Sequence, residues 1–169
     1  MKNEFAFFKT PSYSTSQLSL LVILRVIIGW HIFYEGFSKL INPNWSSVGY
    51  LLDSKGWFSY FFIEIASNPP LLRLADIVNV WGLLIIGFCL MAGLFEKWAS
   101  MGAVILIGLY YLSHPPLIGY KFDAPGEGSY LIVNKNLIEI FAVSLNLVFP
   151  NSRLVGIDRL IFKSKENKS

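Results

Sequence analysis

Four predominantly apolar stretches, residues 17–40, 71–94, 98–114 and 131–149, dominate this chain of 169 residues. The hydrocarbon core of a bilayer is about 30 Å thick and takes roughly 17 to 25 apolar helical residues to cross, so each stretch has the length of a membrane span. Each is predicted to be helical, because backbone groups in lipid must bond within their own segment and none of the stretches alternates as a barrel strand does. Composition agrees. Hydrophobic residues make up 54% and charged residues 15%, with a mean hydropathy of +0.52, against about 25% charged in ordinary soluble domains. That balance excludes a disordered chain and argues against a soluble enzyme.

The punctuation between the stretches fits the same reading. Pro69-Pro70 opens the second span and Pro115-Pro116 closes the third, as expected of a residue that cannot continue a helix. Only Phe95-Glu96-Lys97 separates the second span from the third, which predicts an antiparallel, adjacent pair. Residues 46–66 read as a short capped helix, a break at Gly56, and an aromatic segment at 57–63 that is too short to span and too apolar for water. The expectation is an interfacial helix lying over the mouth of the bundle. Segment 117–130, with Gly119, Pro125, Gly126 and Gly128, has the turn chemistry of a flexible lid. In the tail at 150–169, Leu154, Ile157, Leu160 and Ile161 recur at helical spacing beside Arg153, Arg159 and Lys163. The predicted fold is therefore all-α: one integral membrane four-helix bundle with an extra outer-face interfacial helix and a cytoplasmic amphipathic C-terminal helix.

Charge asymmetry orients the bundle. With four spans, Lys2, Lys9, Lys97, Arg153, Arg159, Lys163, Lys165 and Lys168 share one side, eight in all, against five on the other: Lys39, Lys55, Arg73, Lys121 and Lys135. The positive-inside rule then puts both termini of this multi-pass chain in the cytoplasm. The first span carries Arg25, and bulky Trp30, Phe33 and Tyr34 follow where a cleavage site needs small residues, so no cleavable signal is expected. Of the 14 Lys and Arg, set against 11 Asp and Glu, five lie in the last 17 residues. They suit lipid headgroups and not nucleic acid. Cys89 is the one cysteine, so the chain has no disulfide or dithiol of its own.

Ionisable side chains inside spans cost roughly 2.5 to 3.5 kcal/mol each at a helix centre, which makes them the first candidates for function. At 100° per residue, Arg25, Gly29, Glu35, Gly36 and Lys39 share one side of the first span, with His31 at its edge. Asp76 and Asn79 share a stripe on the second span with Arg73 one turn outside it, His114 closes the third, and Lys135, Glu139 and Asn146 line up on the fourth. Glu35 and Lys39, Arg73 and Asp76, His114, and Lys135 and Glu139 fall in the outer half of their helices, and Arg25 lies deeper. Facing stripes would enclose a charge-balanced chamber suited to a small polar or redox-active ligand. Glu35, Asp76 and Glu139 are then the candidate proton carriers, and Arg25, His31, Lys39, Arg73, His114 and Lys135 the candidate binding residues.

A blander reading stands beside this one: buried pairs of opposite charge can simply fix helix register. His31 and Glu35 have the i, i+4 spacing of metal ligands, but two residues on one helix are a weak signal, so no metal is assigned. Two histidines near the outer rim are equally weak evidence for a haem, and no flavin or phosphate-loop motif is present. Cys89 and Gly82, Gly87 and Gly93 read as packing positions.

The residues around these charges resemble those of a known family. Leu24-Arg25-Val26-Ile27-Ile28-Gly29 through Tyr34-Glu35-Gly36 to Lys39-Leu40, the turn Ala92-Gly93-Leu94-Phe95-Glu96-Lys97-Trp98-Ala99, and Val133-Asn134-Lys135-Asn136-Leu137-Ile138-Glu139 are similar to the DoxX family of small four-helix membrane proteins, DoxD-like subunits included. The resemblance covers roughly residues 18–150, with Arg25, Gly29, Glu35, Gly36, Lys39 and Glu139 as matching positions. The family takes its name from a thiosulfate:quinone oxidoreductase in which a DoxD-type subunit works with a second subunit. The implied activity is electron transfer from a small reduced sulfur species to membrane quinone, with a soluble or membrane partner and homo-oligomerisation both open. The alternative from another class is a non-enzymatic scaffold that stabilises a membrane partner.

Cysteine labelling tests the orientation. A thiol at position 47 reacts with an impermeant reagent in intact cells and one at position 164 does not; labelling of position 164 alone inverts the topology.

Overall fold

The computed structural model describes residues 12–123 and 131–166, with side chains as far as residue 162. These residues form seven helices and no strand: α1 (Thr15–Leu40), α2 (Val48–Leu52), α3 (Ser59–Ser67), α4 (Pro69–Ala92), α5 (Glu96–Ser113), α6 (Lys135–Val148) and α7 (Asp158–Glu166). Local chemistry sets their ends. The Ser14 side chain accepts from the Gln17 backbone N–H while the Gln17 side chain accepts from the Ser14 N–H, which opens α1 two residues before the apolar run. Asn68 caps α4 ahead of two prolines, whose missing N–H groups cost nothing in a first turn. Gly93 (φ 63°) ends α4 in the left-handed region and Phe95 (φ 47°) repeats that conformation two residues on, so the chain reverses within three residues into α5.

α1 and α4, with 26 and 24 residues, are long and apolar enough to cross a membrane, and only 22% and 28% of their most apolar windows are buried inside the protein. A core helix of a soluble protein would be mostly buried. Here Leu20, Ile23, Ile27, Trp30, Ile77, Trp81, Ile85 and Phe88 face outward instead, an apolar belt suited to lipid. The protein is a membrane protein.

α1 packs on α4, α4 on α5, α5 on α6 and α6 on α1, so the four longer helices close a ring around a core of Ile28, Ile32, Leu83, Leu90, Ala99, Ala103, Ile107 and Val143. The fourth element is shorter than its apolar run. Leu131 (φ 68°) turns the chain, and the Asn134 side chain accepts from Leu137 N–H at 3.0 Å to start α6. The helix has 14 residues, about 21 Å of rise.

The aromatic segment does not lie over the mouth. Asn68 ends α3 and caps α4, so α3 is tethered beside the start of α4, where Phe62 and Ala66 bury against Leu51 and Leu72. Trp57, Tyr60 and Phe61 face outward, as expected of an interfacial anchor. The mouth is covered instead by residues 45–50. The described part of the expected lid is fastened: Asp123 N–H donates to the Asp53 carboxylate at 2.7 Å, and Lys55 Nζ donates to the Lys121 carbonyl. Pro125, Gly126 and Gly128 lie outside the described residues. Ser47 is buried, so exposed Asn44 is the better outer-loop position for a labelling thiol.

The tightest seam is α1 against α4. A Cβ on Gly87 would stand 2.5 Å from Phe33 N and 2.7 Å from Gly29 O, and one on Gly36 would stand 3.0 Å from Leu84 N. These are backbone atoms that cannot swing aside, and small residues are what allow such an approach in a membrane. Gly87→Ala is expected to destabilise the protein by about 1–3 kcal/mol. Gly108→Ala, with nothing within 4 Å of the added carbon, should stabilise it by about 0.4–1 kcal/mol. Thermal melting in detergent reads both signs.

Candidate functional site: a polar chamber under the outer loop

The upper parts of α1, α5 and α6, together with the loop leading into α2, enclose a cavity of about 550 Å³. Its polar side chains come from separate elements: His31, Glu35 and Lys39 from α1, Tyr50 from α2, Tyr110 from α5, His114 just after it, and Asn134, Lys135 and Glu139 from the start of α6. Leu83 and Ile107 form the apolar floor, and Trp45, Leu117, Tyr120 and Phe122 form the outer rim. The volume and the few convergent polar groups are those of a small-molecule site.

Lys39 is the most heavily held group. Its Nζ donates to Glu35 Oε1 at 3.1 Å, to Asn79 Oδ1 at 3.0 Å and to Tyr110 Oη at 3.3 Å, while Asn79 Nδ2 donates to the same Tyr110 oxygen at 2.7 Å. The ammonium also lies 5.1 Å above the Trp45 ring, a favourable cation–π distance. Three helices thus converge on one cation. Across the chamber, His31 Nδ1 and Glu139 Oε1 are 2.7 Å apart and join α1 to α6. His31 therefore pairs with another helix and not with Glu35 one turn along its own.

An aromatic wall completes the chamber. His114 stacks on Tyr50 with centroids 3.8 Å apart and tilts against Phe122 at 4.5 Å; its Nε2 is 3.7 Å from Asp53 Oδ2. Tyr50 Oη donates to the Tyr110 carbonyl at 3.2 Å. Burial, reinforced by the Glu35 charge, pushes the Tyr50 hydroxyl's pKa up, so it remains a neutral donor. Lys135 is exposed at the first turn of α6 with no carboxylate at ion-pair distance among the described residues.

Three expected site residues stand elsewhere. Asp76 accepts from Ser46 Oγ at 2.9 Å and from Ser47 N and Oγ at 2.9 and 2.5 Å. It holds the loop that roofs the chamber, and with both oxygens engaged it does not line the cavity. Arg73, nearer the start of α4, is exposed and also outside it. Arg25 is ten residues before Glu35, about 15 Å along the helix, and belongs to a different cluster. Its guanidinium is 2% exposed, donates from Nη2 to the Val155 carbonyl at 2.7 Å, and has Nη1 3.9 Å from Glu96 Oε2. Glu96 in turn accepts from the backbone N–H groups of Asn151 and Ser152 at 2.7 and 2.6 Å. Asp158 accepts from Phe95 N–H and from Ser152 Oγ, at 2.9 and 2.7 Å. This cluster locks residues 151–158 beneath the α4–α5 turn, and the cavity that Glu96, Ser152 and Asp158 help to line is only about 150 Å³.

Reading the sequence for charges missed Trp45, Tyr50 and Tyr110, all of which line the cavity. One signal was available. Tyr110 precedes His114 by four residues, so the two fall on one face of the predicted third span.

Comparison with known proteins bears on α1 to α5. The family model described as DoxX matches residues 20–115, more than half of the chain. The match takes in Glu35, Lys39 and Tyr110 and ends before Lys135 and Glu139. No curated protein and no solved structure matches the chain.

Asp76→Asn should loosen the roof without removing a chamber group. It weakens hydrogen bonds to a carboxylate, worth roughly 1.5–3 kcal/mol where the acceptor is charged. Faster hydrogen exchange at residues 46–53, with exchange in α5 unchanged, is the expected result.

Proposed function

The chain belongs to the DoxX family, and on that premise we propose that it is the membrane subunit of a quinone-linked oxidoreductase system, binding a quinone headgroup or a small reduced sulfur species in the chamber. In this reading α5 and α6 complete the crossing begun by α1 and α4. The chamber then opens to the outer face of a bacterial inner membrane, and both termini are cytoplasmic. The supporting observation is the cavity itself: about 550 Å³, with Lys39, Lys135 and His114 as donors and Glu35 and Glu139 as carboxylates, under an aromatic wall.

The residues fit the chemistry of a quinone headgroup. Its two carbonyl oxygens need donors, which Lys135 of α6 supplies directly and Lys39 of α1 supplies when the ligand displaces one of the three acceptors its ammonium already serves, and its flat ring suits the stacked His114, Tyr50 and Phe122. Reduction to the quinol takes two electrons and two protons; two thiosulfates joined through a new S–S bond into tetrathionate release two electrons. The chain has no dithiol, so the electrons come from a reductant bound in place or from a partner subunit. Glu35 and Glu139 carry protons from the outer face, each already at hydrogen-bond distance from a basic neighbour.

A second reading is a scaffold that stabilises a membrane partner. The observation favouring it is that Lys39–Glu35 and His31–Glu139 already pair within the chain, as charges retained for helix register would.

Glu35→Gln and Glu139→Gln separate the two. Glutamine keeps size and hydrogen bonding but cannot carry the proton, so the oxidoreductase reading expects a loss of roughly 10²–10⁴ in quinone reduction with little change in melting temperature. The scaffold reading expects lowered stability, because each variant removes the carboxylate partner of Lys39 or of His31, and no wild-type turnover with thiosulfate and the native partner supplied.

A further inference from the structure

The chamber does not end at the His31–Glu139 pair. Along the seam between α1 and α6 runs a second cavity of about 620 Å³, apolar along Ile28, Ile138 and Ala142 and polar only at Asn134, Lys135 and Glu139. Those three polar residues line both cavities. The two spaces therefore meet at a polar head and diverge into a polar chamber on one side and an apolar groove on the other.

The groove opens toward lipid. Ile138 is 61% exposed, on the outward side of α6. The His31 side chain is 38% exposed although it lies well inside the apolar run of α1. The other flank of α1 is closed by backbone packed on backbone at Gly29 and Gly87, whereas toward α6 the polar link among the described residues is the His31–Glu139 contact. A helix packed into the seam would bury Lys135 while the nearby Glu139 carboxylate is engaged by His31, which is costly. An amphiphile instead places polar oxygens at that head and an apolar chain along Ile138 and Ala142.

We propose that the α1–α6 seam is the tail subsite and bilayer entry for the chamber's ligand, holding the isoprenoid chain of a quinone whose headgroup lies in the chamber. The inference rests on the quinone reading and adds a route and a chain-length preference to it. The His31–Glu139 pair spans the junction, so the headgroup passes beside it on entering from the membrane.

The test uses the full chain in lipid nanodiscs and two probes: a benzoquinone headgroup with no chain, and the same headgroup with two isoprene units. Quenching of tryptophan fluorescence reads binding, since Trp45 lines the chamber. Ile138→Trp and Ala142→Trp fill the groove; Ile138 is exposed, so its replacement enters no packed core. The expected result is tighter binding of the chained quinone by wild type, at least a tenfold loss of that binding in Ile138→Trp, and an unchanged Kd for the chainless one. Equal binding of both quinones by wild type, with no change in the variants, overturns the tail subsite while leaving the chamber reading in place. Binding of neither quinone by wild type overturns both. A dimer that dissociates in Ile138→Trp, with no quinone bound, overturns the proposal and assigns the seam to a second copy.

Discussion

The backbones of α1 and α4 touch. Gly29 and Gly36 on one helix and Gly87 on the other remove the side chains that would hold two helices apart, and the rest of the arrangement follows from that contact. With this flank of α1 closed, its charged face at Glu35 and Lys39 turns toward α5 and α6, and Asn79 of α4 comes within 3.0 Å of Lys39 Nζ. The same approach sets the level at which Arg25 meets the turn after α4, where a Cβ on Gly93 would stand 2.9 Å from the guanidinium nitrogens. In lipid, where apolar surface gains little by leaving its solvent, close packing and polar contacts must supply what burial from water supplies elsewhere.

The charges of the chain thus divide between two ends with different logic. At the cytoplasmic end of the proposed topology Arg25, Glu96 and Asp158 are buried, at 2%, 1% and 4% exposure, and are held largely by backbone groups of the turn and tail. At the other end Glu35 keeps 39% of its side chain exposed and His31 keeps 38%. A charge enclosed by backbone partners is a fastening, since it cannot change state or partner without opening the structure. A charge on the wall of a cavity can exchange a neighbour for a ligand. This contrast in surroundings separates structural from chemical candidates better than depth along the helix does.

Much of the fold was legible because lipid imposes a length and an internal hydrogen-bonding rule on every span. The first two long helices and the Gly56 break are where the sequence places them, while the three-residue turn falls at 93–95 and not at 95–97, because Gly93 ends α4 and Glu96 already opens α5. What failed was placement in three dimensions. A helical wheel assigns Arg25 and Glu35 to one face but is blind to the tail segment that rises to meet Arg25. It puts Asp76 on an inward stripe without revealing that Ser46 and Ser47 fold back onto it. The run at 131–149 is apolar throughout, so hydropathy does not register that Leu131 adopts a left-handed turn and delays the helix to Lys135. Tyr50 and Tyr110 went unread because their chemistry is one oxygen on an otherwise apolar ring, invisible to a search for charge.

Arg25 and the carbonyl that receives it, Val155, are 130 residues apart. At a synthesis rate of about 5–20 residues per second, the guanidinium waits roughly 7 to 26 s after its own emergence before its acceptor exists. Glu96 is likewise made before the backbone N–H groups of Asn151 and Ser152 that it binds. The chain therefore enters the membrane with this polar node open, and residues 151–158, translated later, close it. Quality control that recognises unpaired charge in lipid has a built-in signal here, present on every unfinished or tail-damaged copy and hidden once residues 151–158 have docked.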